Sequence, residues 1–338
     1  MTKATTKVTS MGICRFCKGE FDRTKMSQHL KYCKQRAAEI AAEGENATAS
    51  QKARLFHIAV EGRYNPQYWM HLEMPTSDTL ADLDSFLRDI WLECCGHLSA
   101  FQVGHINYSV DRGDFYYSED DEDEEDVDEE EQEDIVEEPE NLLATLPPIL
   151  LEEIPPDLLV QLNKFESLED LLSFLDKEAK SLMSFDISKN LSAEEREALY
   201  NRYRLGTNLR TLVRALQNQD IYVPLEKALK VGQKFTHEYD FGSTTHLALR
   251  VVAGREGVVQ KNGDEKDNIV ILARNVPPVI SCCVCGKPAK RIASGYYYIE
   301  ENAYCSSKCA KKKGEYYEEM LPVVNSPRVG VCGYTGRD

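Results

Sequence analysis

Apolar and polar side chains alternate through LFHIAVEG (55–62) and QYWMHLEMP (67–75), a period of two that predicts strands on either side of Tyr64, Asn65 and Pro66. The period then lengthens. In TLADLDSFLRDIWLECC the apolar positions Leu80, Leu83, Phe86, Leu87, Ile90 and Trp91 fall at helical spacing, with Asp78 as N-cap and Gly96 as stop. HLSAFQVGHINYSV (97–110) resumes extended structure.

Farther along, IPPDLLVQLNKF, SLEDLLSFLDKEAKSL and SAEEREALYNRYRLGTNLRTLVRALQNQ carry helical periodicity, with Pro155 and Pro156 as a stop-and-start and Ser192 with Glu195 as a capping box. Strand signals return in QKFTHEYDF, THLALRVVAG and DNIVILARNV, separated by turns that contain glycine. A mixed core split by a helical insertion follows. Near the start, QRAAEIAAEGENATASQKA is the tail of a helix running into a linker, which places a boundary near Ser50.

Charge sharpens this division. The chain of 338 residues has 57 acidic and 40 basic side chains, and 17 of the acids lie in Glu119 to Glu140, a stretch without Lys or Arg. The low isoelectric point therefore belongs to one segment, whose apolar content is too small to offset the entropy of ordering it; disorder is the expectation there. Two regions are locally basic. Met1 to Ala37 has nine Lys or Arg against two acids, and Cys282 to Gly314 has seven against two. The N-terminus lacks the apolar stretch of a signal peptide, and no apolar run approaches the roughly 18 residues of a membrane span, so a cytoplasmic protein without a membrane partner is expected. In a reducing compartment eleven cysteines point to metal ligands or buried thiols rather than disulfides.

Lys230 to Val251, KVGQKFTHEYDFGSTTHLALRV, together with YNPQYWMHLEMPTSDTLADLDSFL, resembles the plasmid pRiA ORF-three-like domain family. The resemblance implies an α+β domain of plasmid- and transposon-associated proteins, and a fold more than an activity. Family members tend to place an Asp and a Trp after Tyr-Asp-Phe-Gly. Here Ser243, Thr244 and Thr245 precede His246, so no role of that Asp carries over. In physical terms Tyr239 to Gly242 is a turn between strands, with Gly242 free to take positive φ and Asp240 able to bond its own backbone. Asp240-Phe241-Gly242 also matches the kinase magnesium motif, but the Gly-rich loop, His-Arg-Asp and Ala-Pro-Glu segments that a kinase needs are missing.

The basic regions coincide with the cysteines. Cys14, Cys17, His29 and Cys33 have zinc-finger spacing: a helix from about Thr24 sets His29 and Cys33 on one face, opposite a Cys14/Cys17 knuckle, with Phe21 and Met26 as a miniature core. Its exposed helix positions Lys25, Gln28 and Lys31 suit phosphate or base contact, although one finger spans only about 3 bp. A second set, Cys282, Cys285, Cys305 and Cys309, has a C-x2-C and C-x3-C layout like a treble clef, with Gly286 in the knuckle and Lys311, Lys312 and Lys313 following the last ligand. Cys283 can replace Cys282 in a shifted register, and Cys332 is either a remote ligand or a plain thiol. Cys94 and Cys95, at a helix end, are expected to be small buried hydrophobes. His57, His71, His97, His105, His237 and His246 share no short-range motif.

The expected fold is α+β: a zinc finger at 1–37, core halves at 51–118 and 230–276, an acidic run at 119–140, a helical insertion at 141–229, and a four-cysteine zinc module with tail at 277–338. The expected function is that of a non-enzymatic protein of plasmid or mobile-element type, holding two zinc ions and contacting nucleic acid, DNA or RNA, through its basic zinc modules. The alternatives are an adaptor that binds protein partners through those modules and the helical insertion, and an enzyme whose site gathers His246, Asp240 and further histidines in the core.

Overall fold

The computed structural model describes residues 10–46, 48, 52–104, 106–110, 218–259, 268–294 and 299–336, with scattered positions between 159 and 207. The chain forms two compact units. One comprises Met1–Val110 with Asp220–Asp338, the other Asp111–Gln219.

The first unit is α+β. Its strands are β1 (Met11–Cys14), β2 (Glu20–Asp22), β3 (Lys52–Gly62), β4 (Trp69–Pro75), β5 (Ser99–Val103), β6 (Ile106–Ser109), β8 (Lys234–Tyr239), β9 (Thr245–Val258) and β10 (Val270–Asn275), with β7 (Asn218–Asp220) at the chain boundary where the unit resumes. They build a sheet in the order β2-β1-β10-β4-β3-β9-β8-β5-β6-β7. The two halves of the core thus interleave: β3 pairs with β9 along its whole length, antiparallel, with a bulge between His57 and Ile58. On the far side of β4, β10 continues the sheet.

Every residue of β4 is buried, and its neighbours in sequence show why. Met70, Leu72 and Met74 join the main core on one face with Phe56, Ile58, Leu83, Leu87 and Trp91. Trp69 faces the other way, against Met26, Leu30 and Cys33. Period two in a strand covered on both sides sends alternate residues into two different cores. The second cover is supplied by α1 (Arg23–Tyr32) and α2 (Lys34–Asn46), and Arg36 of α2 donates to Glu73 of β4 at 2.8 Å.

The helix predicted after β4 is present as α3 (Leu80–Leu87), prolonged by a π-helical turn at Arg88–Leu92. Its cap is Thr79, in a capping box with Asp82, and not Asp78. The hydroxyl of Thr79 receives the Asp82 N–H at 3.2 Å while the Asp82 carboxylate returns to the Thr79 N–H at 2.7 Å, so the one-residue shift satisfies two helix donors at once. Gly96 does end this region, with φ +76°.

Near the C-terminus, strands β11 (Arg291–Ile292), β12 (Ala303–Tyr304) and β13 (Leu321–Pro322) form a separate sheet in the order β12-β11-β13, followed by a tail whose Ser326 hydroxyl donates to the Trp91 carbonyl at 2.6 Å. The described positions of the second unit are largely helical, with Leu162, Leu171 and Leu175 buried. The acidic run, Glu195 of the expected capping box, and His105 lie outside the described residues. Among the described residues no helix is long and apolar enough to cross a membrane.

Candidate metal centres

The opening cysteines lie on a short antiparallel hairpin, β1 with β2, and β1 in turn pairs with β10, so this hairpin continues the core sheet. Tight return of the chain is fixed by the Cys14 N–H donating to the Gly19 carbonyl at 3.0 Å and the Lys18 N–H to Cys14 at 3.0 Å. Helix α1 then starts at Arg23 with Asp22 as cap, its carboxylate receiving the Lys25 N–H at 2.9 Å. That start brings His29 and Cys33 over the knuckle. Donor atoms of Cys14, Cys17, His29 and Cys33 lie within 4.8 Å of one another, with Cys17 Sγ 3.3 Å from His29 Nε2. Tetrahedral zinc with bonds of about 2.3 Å to sulfur and 2.0 Å to nitrogen needs edges of about 3.8 Å and 3.6 Å, so the set is close to coordination geometry.

Electrostatics favour that use at His29 and Cys17 and oppose it at Cys14. Burial holds the His29 imidazole below its ordinary value, in the neutral form that binds metals, and Phe21 stacks on its ring at 3.7 Å. Burial pushes the Cys14 thiol up to about 11. At Cys17 burial acts in the same direction, but the Gly19 N–H and the neighbouring sulfurs outweigh it and lower the thiol. Met26 fills the miniature core as expected, though it shares that core with Trp69 of the main sheet.

The second set is equally compact. Cys285 Sγ lies 3.4 Å from Cys305 and 3.8 Å from Cys309, and Cys305 lies 3.7 Å from Cys309. The knuckle closes through the Gly286 N–H to Cys282 at 2.9 Å, with Gly286 at φ +71°, while the short helix Ser307–Lys311 carries Cys309. Against burial, backbone N–H groups of Val284, Cys305 and Cys285 lower the Cys282 thiol to about 6. Cys282 joins the donor group and Cys283 does not.

Sequence spacing missed a third group. Cys94, Cys95, His97 and Cys332 also bring their donor atoms within 4.8 Å. The expectation of buried hydrophobes at Cys94 and Cys95 is therefore corrected, since Cys95 is exposed and Cys94 half-buried. Cys332 reaches them from the tail, 3.9 Å from Cys95 Sγ and 3.3 Å from His97 Nε2. Hydrogen bonding to Cys94 raises the Cys95 thiol to about 12, while Cys94, despite burial, is lowered by Arg328 and Cys95. A separation of 237 residues between Cys95 and Cys332 leaves no local spacing to read.

The turn at Tyr239 to Gly242 also departs from expectation. Positive φ falls on Asp240, at +66°, and not on Gly242. Asp240 does bond its own backbone, receiving Gly242 N–H at 3.1 Å, and it additionally anchors the fully buried Arg328 at 2.5 Å.

The residues expected to face nucleic acid, Lys25, Gln28 and Lys31 on α1 and Lys311, Lys312 and Lys313 beside the second set, are all exposed. Lys25 pairs with Asp22 at 3.0 Å. The core histidines sort into separate pairs: His57 with His71 at 2.8 Å, His237 with Asp84 at 2.6 Å, and His246 with Glu238 at 3.2 Å. Asp240 has His97 at 3.5 Å rather than His246 as its histidine neighbour.

No protein-family model and no curated protein matches the chain. Among solved structures it is similar to the protein of unknown function MM3350 from Methanosarcina mazei Go1, at 10% identity and a TM-score of 0.29 over 65% of this chain and 67% of that one. Overlap of that quality carries no functional argument.

Proposed function

We propose that the chain is a non-enzymatic protein of the plasmid pRiA ORF-three-like kind, from a plasmid or mobile element, that holds zinc at Cys14/Cys17/His29/Cys33 and at Cys282/Cys285/Cys305/Cys309 and contacts nucleic acid beside those ions. The observation that supports it is the exposure of cationic and amide side chains next to two compact donor sets: Lys25, Gln28 and Lys31 at i, i+3 and i+6 of one helix, and Lys311 to Lys313 after Cys309. A zinc-braced helix end holds such side chains in fixed directions, which lets few contacts act together. Four thiolates, or three and an imidazole, leave no open coordination position, so these ions brace structure and do not activate water.

Titration of the intact chain against a duplex and a single strand at several salt concentrations tests the reading. Affinity falls as salt rises, and replacing Lys25 and Lys31 together by Gln reduces the slope of log affinity against log salt by about 2, one unit for each phosphate contact removed. Failure to bind either strand form at low salt refutes it. The adaptor reading draws on Tyr32 and Tyr316, 68% and 75% exposed next to the same two sets, because exposed aromatic rings are common anchors at protein interfaces. Binding to a protein partner that is insensitive to salt, with only weak salt-insensitive binding to DNA, favours that reading instead.

A further inference from the structure

We propose that Cys94, Cys95, His97 and Cys332 form a third metal site, for zinc(II) or a similar divalent ion, which fastens the C-terminal loop to the core. This goes beyond the two sites invoked above and does not depend on any contact with nucleic acid.

The donor set is complete. Cys94 and Cys95 sulfurs are 3.5 Å apart, Cys95 Sγ is 2.9 Å from His97 Nε2, and Cys332 Sγ closes the figure at 3.9 Å from Cys95 and 3.3 Å from His97. Those edges scatter around the roughly 3.6 to 3.8 Å of tetrahedral zinc, whereas a disulfide needs sulfurs about 2.05 Å apart. Soft thiolates with one imidazole select zinc-class ions over magnesium or calcium.

What holds the donors in place is the part of the fold that otherwise looked like a plain turn. The Tyr239 hydroxyl receives the backbone N–H groups of Cys94 at 3.4 Å and His97 at 3.3 Å, and donates to Glu93 at 3.0 Å. Glu93 receives the Gly96 N–H at 2.6 Å. Asp240, the next residue, fixes Arg328, whose same terminal nitrogen also reaches Cys94 Sγ at 3.5 Å. A cation donating to a ligand sulfur and a hydroxyl gathering the ligand loop are the supporting contacts that ordered metal sites require. Asp240 Oδ2, though 3.5 Å from His97, is already held by Arg328 and Ser243 and is not needed as a ligand.

From the other direction the tail is bent to deliver one sulfur. Cys332 takes φ +47° between Gly330 at +82° and Gly333 at +71°, a conformation that a side chain other than glycine rarely adopts. Two of the four ligands here, Cys95 and Cys332, are exposed, against Cys285 alone in the second set and none in the first, so this ion is the first to exchange with solvent.

Elemental analysis of the full chain, purified without chelator and reloaded with zinc(II), gives three ions per chain. Cys332→Ser and His97→Asn each give two, and so does Cys17→Ser, which empties a different site. With cobalt(II) the thiolate charge-transfer band of Cys332→Ser falls by about three-tenths, because the third site owns three of the ten cysteine ligands. Labelling decides the matter even where a variant misfolds: in the wild-type chain N-ethylmaleimide reacts at Cys95 and Cys332 only after chelator is added. Two ions in the wild type together with immediate labelling of Cys95 and Cys332 overturns the proposal. A mass lower by two hydrogen atoms at Cys94–Cys95, the mark of a vicinal disulfide, overturns it as well.

Discussion

Arg328 has no exposed surface, yet it carries a full charge, which only its partners make tolerable: Asp240 at 2.5 Å, Thr245 Oγ1 at 2.9 Å and the Ser243 carbonyl at 3.1 Å. Removing one member of such a pair strands the other in low dielectric, at a cost of about 3 to 5 kcal/mol. Arg328→Met therefore lowers unfolding free energy by about that amount in denaturant titration, and adding Asp240→Asn restores a large part of it; no recovery in the double variant would mean that the two do not act as a pair. The His57/His71 pair makes a pH prediction. Burial, reinforced by Arg36, holds both imidazoles below their ordinary value, His71 at about 4, so His71 is neutral in the fold and protonated in the unfolded chain between about 4 and 6.5. In that window the unfolded state binds more protons, and stability falls with falling pH by about 1.4 kcal/mol per unit for His71. His71→Asn makes the fall shallower by that amount, measured against wild type so that acid loss of any bound metal, common to both, cancels; equal slopes would show that His71 is charged in the fold. None of these pairings was legible in the sequence, because partners 14 to 88 residues apart meet only through the sheet.

Elements were far more legible. Period two and period 3.6 are local properties, and β3, β4, α3, β8, β9 and β10 lie where those periods predict. The ligand-bearing hairpin and α1 also follow from short spacing. What local pattern does not contain is the place of an element in a sheet, and β1 shows the consequence, since it pairs with β10 across more than 250 residues of chain. Gly12 permits this docking: a Cβ there would lie 2.3 Å from the Trp69 ring and 2.6 Å from the Arg274 carbonyl. Gly12→Ala must push the strand off its neighbour, so the melting temperature falls, by the equivalent of about 1 to 3 kcal/mol, and chelator strips the Cys14 site faster. Gly44 in α2 meets nothing within 4 Å, and Gly44→Ala raises stability by about 0.5 to 1 kcal/mol. A Gly12 variant as stable as the wild type would remove β1 from the sheet.

At the scale of the whole molecule the decisive quantity is where the charge sits. The net charge of −17 equals the contribution of Glu119 to Glu140 alone, so the remainder of the chain is balanced while its two cysteine regions are basic. A polyanion approaching Lys25, Lys31 or Lys311 to Lys313 meets seventeen carboxylates tethered to the same chain, at an effective concentration that reaches the millimolar range for a linker able to span the distance. Under the proposed nucleic-acid reading, those carboxylates would compete with phosphates for the same cations. The competition is electrostatic, so it weakens as the Debye length shrinks from about 30 Å at 0.01 M to about 8 Å at 0.15 M ionic strength. Deleting Glu119 to Glu140 is expected to leave the melting temperature within a few degrees of the intact chain, because the segment offers only Val127, Ile135 and Val136 as apolar aliphatic side chains. The same deletion tightens binding to a duplex at low salt, and the gain shrinks as salt rises. Measuring both forms against one duplex at three ionic strengths separates a competitor from a segment that only keeps the protein dispersed: equal affinities throughout leave the run no role in binding, whereas a gain that persists undiminished at high salt points to a steric mask and not an electrostatic one.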